Sequence, residues 1–189
     1  AMVRRWKQQL YVLLTCAIAF HTSLLAIEPA IVIDDNFTER SIGLDLSILE
    51  DPTAELTLED VRSPEYAKQF TISTQQTPSF GFTNSAIWVR FTLEDARTPD
   101  RLYSALPLML TLAFAPTDFA ELFCISKEGT LVVQQRAGDH VPLEEWSTTY
   151  RNPAFEITPG PKNCWLKVKS SDSLVILLTV STYSVFGEN

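Results

Sequence analysis

Ala86-Ile87-Trp88-Val89-Arg90-Phe91-Thr92-Leu93 alternates along its length. In an extended chain successive side chains point to opposite faces. Ile87, Val89, Phe91 and Leu93 therefore share one face, and Trp88, Arg90 and Thr92 the other. The run predicts a strand with one side in a core. Cys164–Ser170 reads the same way, with Cys164, Leu166 and Val168 set against Trp165, Lys167 and Lys169.

Outward from these two runs the pattern repeats. Ala30–Ile33, Leu44–Leu49, Gln69–Ser73, Leu102–Leu110, Phe119–Ser126, Thr130–Gln135, Ala154–Ile157 and Leu174–Thr182 are short and rich in strand-forming residues. Breakers separate them, among them Thr77-Pro78, Glu128-Gly129, Ala137-Gly138-Asp139 and Pro159-Gly160-Pro161. Many short strands with turn signals between them predict an all-β sandwich or barrel. Leu174–Val180 is apolar on both faces and predicts a covered central strand. One helical piece stands out in Leu56–Phe70. Thr57 offers an N-cap, Asp60 an acid in the first turn, and Pro64 an early stop.

The N-terminus is a different kind of segment. Arg4, Arg5 and Lys7 precede an uncharged apolar run of 17 residues, Leu10–Ala26, and Glu28-Pro29 ends it. A basic start, a short apolar stretch and a small residue near a helix breaker describe a secretory signal peptide over 1–26. The expected organisation is then 1–26 signal peptide, 27–186 sandwich domain and 187–189 the start of a linker. The chain carries −8, and −11 remains once the three early cations are removed. An acidic surface repels phosphate, which argues against nucleic acid as a partner. Cys124 and Cys164 fall on inward strand positions. They are read as two buried thiols, with a disulfide in an oxidising compartment as the alternative.

Chemistry-bearing patterns are scarce. The mature chain has one histidine and two distant cysteines, too few for a zinc site, so no metal or cofactor is expected. No nucleophile elbow or phosphate-cradling glycine loop occurs, and no enzyme is expected. Asp34-Asp35-Asn36 holds oxygens a calcium ion would use, but no ligand ladder follows, so a solvated turn is the expectation. Trp88, Trp146, Trp165, Tyr150 and Tyr183 could stack on a sugar, whose ring face is apolar. Trp88 and Trp165 lie in strands and are expected to cover the sandwich. Trp146 sits in a polar stretch with no strand pattern. It either presents its ring to a ligand or packs under its own loop. The ligand candidates are Trp146, Tyr150, Arg151, His140 and Asp139, which converge only if their stretch forms a lip over a sheet.

Several blocks carry a resemblance: Leu56-Thr-Leu-Glu-Asp-Val61, Pro78-Ser-Phe-Gly81-Phe, Ala86-Ile-Trp88-Val-Arg90-Phe, Gly138-Asp139-His-Val-Pro142 and Cys164-Trp-Leu-Lys-Val-Lys-Ser170. Across about residues 40–184 the chain resembles the second extracellular domain of bacterial seven-transmembrane receptors with diverse intracellular signalling modules. The resemblance implies a jelly-roll sandwich like those of carbohydrate-binding modules. It also implies a periplasmic sensor whose membrane contact is a downstream segment absent here, and a sugar or other small extracellular ligand. Two further functions fit the same residues: a carbohydrate-binding module of an extracellular enzyme, and a protein-interaction domain that pairs receptors as a homodimer.

Overall fold

The computed structural model describes residues 29–113, 116–148 and 150–186. The expected signal peptide and the expected linker lie outside the described residues. Among the described residues thirteen strands run in chain order: β1 (Ala30–Ile33), β2 (Glu39–Ser41), β3 (Ser47–Asp51), β4 (Thr71–Ile72), β5 (Ser79–Phe82), β6 (Ala86–Asp95), β7 (Leu108–Leu112), β8 (Phe119–Ser126), β9 (Leu131–Ala137), β10 (Ala154–Ile157), β11 (Lys162–Lys169), β12 (Ser173–Val175) and β13 (Leu178–Thr182). Three short α-helices accompany them: α1 (Leu58–Arg62), α2 (Pro64–Ala67) and α3 (Tyr183–Phe186).

The strands form two facing sheets. One has the order β4-β3-β6-β11-β8-β9, with β1 pairing parallel to β6 beyond the end of β3. The other has the order β10-β7-β13-β2. Early strands pair with late ones: β2 with β13, β7 with β10, β8 with β9, and β3 with β11 through the inserted β6. This nested pairing is the winding of a jelly roll. A small third sheet joins β5 to β12.

The core lies where the alternation places it. Ile87, Val89, Phe91 and Leu93 are buried with Leu122, Cys124, Leu166 and Val168 from their own sheet. Leu108, Leu110, Phe155, Ile157, Leu178 and Val180 face them from the other. The second face of β6 is covered too: Trp88 is 1% exposed. Leu49, Trp88, Phe123, Ile125 and Trp165 form a smaller core under residues 52–70, capped by Leu56, Leu58, Val61, Tyr66 and Phe70. That segment follows the buried Asp51 carboxylate, which accepts from Thr53, Ala54 and Leu56. Lys167 donates to the carbonyls of Ala54 and Leu56 at 3.0 and 2.9 Å, and burial depresses its pKa. The Arg90 guanidinium sits 4.4 Å over the Phe70 ring, and Lys167 is the cation over Trp88.

Several expectations change. Leu44–Leu49 is not one strand: Gly43–Asp45 is a 3-10 turn, and β3 begins only at Ser47. Cys124 and Cys164 face each other across β8 and β11 and are joined in a disulfide, not free thiols. Leu102–Leu110 is not one strand: Leu102–Ala105 is a 3-10 turn, and β7 begins only after Pro107, which has no N–H for a ladder. Leu174–Thr182 is two strands in different sheets, so its two apolar faces belong to two environments. Pro64 ends α1 as expected but also opens α2 at its first position, where its missing N–H costs nothing. The Thr57–Asp60 cap forms reciprocally.

Candidate functional site

The five candidate residues do not converge. Asp139 and His140 belong to the turn after β9, where Gly138 has φ 130° and a Cβ would strike the Asp118 carbonyl. His140 is exposed, with Nε2 4.0 Å from Asp118 Oδ1. Trp146 packs under its own loop: its ring rests on the main core and its indole N–H donates to the Val141 carbonyl at 3.1 Å. Tyr150 is half-buried, with its ring 4.8 Å from that of Phe186 in α3. Arg151 is exposed.

Of the five, His140 lines an open cleft of about 490 Å³, with Asn84, Asp118, Lys169 and Ser171. A second groove, about 340 Å³, lies on the outer face of the long sheet beside residues 55–59. Its aromatic floor, Trp88 and Phe123, is almost wholly buried and offers no open ring.

A more enclosed concavity lies at the opposite end of β6. Three stretches build it: the turn after β1, the connection from β6 to β7, and the end of β13 running into α3. It is a pocket of about 210 Å³ lined by Phe37, Tyr103 and Tyr183 with hydroxyls from Thr38, Ser104, Thr182 and Ser184. That is smaller than the roughly 300–1,000 Å³ typical of drug-sized ligands. Tyr103 is 69% exposed and Tyr183 46%, so both offer ring surface.

The wall is held rigidly. The Asp95 and Arg97 side chains are only 8% and 6% exposed and meet through two 2.8 Å bonds. Arg97 also donates to the carbonyls of Tyr103 and Leu106, which fixes the loop bearing Tyr103. Burial alone would raise the Asp95 pKa, but Arg97 and the Gly160 N–H outweigh it and hold it below its usual range. At the rim, Asp35 accepts from the Thr98 hydroxyl and amide, which lower its pKa, and Arg101 lies 3.6 Å away. Asp34 accepts from the Asn36 amide, as in the expected solvated turn. The lining carries two carboxylates, Asp34 and Asp35, and two guanidiniums, Arg97 and Arg101, and behind it Asp95 and Lys162 add one charge of each sign.

Of these residues, Tyr183 is visible in the sequence as a stacking candidate and Asp34-Asp35 as an oxygen-rich turn. Tyr103 is hidden inside a run that reads as strand. Leu106-Pro107 is the signal that separates it, because a proline demotes a strand run.

Compared with known families, residues 43–182 match the family described as 7TMR-DISM extracellular 2. No curated protein matches the chain.

Proposed function

We infer the function from one premise: the chain belongs to the 7TMR-DISM extracellular 2 family, second extracellular domains of seven-transmembrane receptors. A sensing role outside the cytoplasm follows from that membership. The disulfide fits an oxidising compartment, and we place the domain in the periplasm.

The proposed ligand is a carbohydrate, bound without being turned over. The observation that carries this is the terminal pocket, where two exposed tyrosines stand beside a carboxylate–guanidinium rim and four hydroxyl side chains. Aromatic faces match the apolar face of a pyranose, and the rim and hydroxyls orient its hydroxyl groups.

A thermal-shift panel of D-glucose, D-galactose, D-glucosamine and D-glucuronate tests this. A sugar at one hundred times its dissociation constant stabilises the folded state by about 2.7 kcal/mol. A shift of several degrees is expected for at least one of these sugars. Tyr183→Ala and Tyr103→Ala should each weaken binding about tenfold, since burying an aromatic ring against a ligand is worth about 1–3 kcal/mol. No shift with any of the four, or tyrosine variants that bind like wild type, would count against the pocket.

One observation favours receptor pairing as a second reading. Leu102, 81% exposed, and Tyr103 form an apolar tip on the same loop. Such a tip can mark an interaction surface. Sedimentation of wild type against Leu102→Asp decides between a homodimer and a monomer.

A further inference from the structure

The terminal pocket shares its wall with α3. The Thr182 amide closes the pocket's backbone by donating to the Thr38 carbonyl at 2.7 Å, and the next residue, Tyr183, lines it. α3 then packs back against β7 and β13. At its far end the Phe186 ring rests on the ring of Tyr150, 4.8 Å away and tilted by 56°. Tyr150 itself does not line the pocket. It reaches α3 from the connection before β10, a part of the chain that contributes nothing to the pocket wall.

A four-residue helix cannot hold itself, because its nucleation cost exceeds what so few backbone bonds return. Its position depends on tertiary contacts. The described residues give α3 two aromatic anchors: Tyr183 at the pocket and Phe186 on Tyr150. The first is half-exposed and would gain contact area from a ligand. The second is present without one.

We propose that Tyr150 is a positioning residue: with Phe186 it latches α3 beside the terminal pocket, so that pocket occupancy and the placement of α3 are one coupled equilibrium. This rests on the pocket being the ligand site proposed above. A ligand that stacks on Tyr183 binds only when α3 is seated, and therefore stabilises the seated state. Breaking the latch lowers the fraction of molecules able to bind, and the apparent affinity falls by that fraction. The sensing domain thereby converts a binding event into the position of a chain segment.

Hydrogen exchange followed by mass spectrometry tests the latch with and without D-glucosamine, on wild type, Tyr150→Ala and Tyr150→Phe. Without sugar, Tyr150→Ala should exchange about tenfold faster over residues 183–186, with β11 unchanged as the control for global stability. Tyr150→Phe keeps the ring and should match wild type. With sugar, 183–186 should slow in wild type, and Tyr150→Ala should bind about three- to tenfold more weakly. Unchanged exchange at 183–186 in the sugar-free alanine variant overturns the latch. So does tight binding by that variant with 183–186 still unprotected. If D-glucosamine fails to bind wild type, its role as ligand falls, while the sugar-free comparison still decides the latch.

Discussion

Replacing Cys124 and Cys164 together with serine is expected to lower the unfolding free energy by about 4 kcal/mol and the melting temperature by about 10 °C. The two cysteines are 40 residues apart in sequence and adjacent in space. The bridge joins a register pair of β8 and β11, two interior strands of the long sheet. In the chain-entropy account, closing a loop of that length removes about 13 cal/mol/K from the unfolded ensemble. Both side chains are wholly buried, so serine adds a second cost by placing two hydroxyls in an apolar core. Calorimetry of the double variant reads the sum. A loss below about 1 kcal/mol would mean that the bridge does not constrain the unfolded chain, against the entropy account. Peptide mapping of the oxidised protein should recover 124 linked to 164.

The second large effect is expected at Arg97. Arg97→Ala should cost about 2–3 kcal/mol, because it leaves the part-buried Asp95 carboxylate with the Gly160 N–H and the neighbouring Lys162 ammonium but without its two-pronged guanidinium contact. It should also abolish sugar binding, since the carbonyls of Tyr103 and Leu106 lose the donor that fixes their loop. Arg97→Lys should not rescue either property, as an ammonium cannot reproduce the two-pronged contact. Replacing both partners, Asp95→Leu with Arg97→Met, should cost less than Arg97→Ala alone, because the carboxylate leaves with its guanidinium and the buried Lys162 ammonium keeps the Thr158 and Pro159 oxygens. The pH dependence has a definite sign. Asp95 has a folded pKa below its unfolded one, so its stabilisation is complete above about pH 4 and is lost as pH falls through the depressed folded value. Chemical denaturation across pH 2–6 should therefore show a steeper acid loss in wild type than in Asp95→Asn. Parallel curves would mean that the pair contributes nothing.

Much of the fold is legible in the sequence itself. The alternation in Ala86–Leu93 places Ile87, Val89, Phe91 and Leu93 in the core, and the inward positions of Cys124 and Cys164 are visible from their runs. What stays hidden depends on partners distant in sequence. Trp88 falls on the polar face of an alternating strand, yet residues 52–70 cover it. Periodicity shows that a face exists, not what lies upon it. The run Leu174–Thr182 looks like one doubly covered strand because it hands over from the small sheet to the β7 sheet without a glycine or proline between. Pairing of the cysteines needs the register of β11 on β8, which no spacing encodes.

The site is harder to read. Trp146 draws attention because a polar stretch leaves it without a strand to bury it, but its indole N–H finds the Val141 carbonyl within its own loop. Tyr150, a candidate for its ring, sits against Phe186 of α3 and does not line the terminal pocket. Tyr183 and Asp34-Asp35 stand out separately in the sequence. Only the end of β6 meeting the end of β13 brings them together with Tyr103.

We propose the terminal pocket as the sugar site. Titrating isotope-labelled protein with D-glucosamine and D-glucose, followed by amide NMR, tests it most directly. The predicted result is saturable shifts confined to residues 34–38, 97–107 and 182–186. Shifts centred on 83–85 and 139–140, or on 121–136, would contradict the site, and no saturable shift with either sugar would contradict the claim itself.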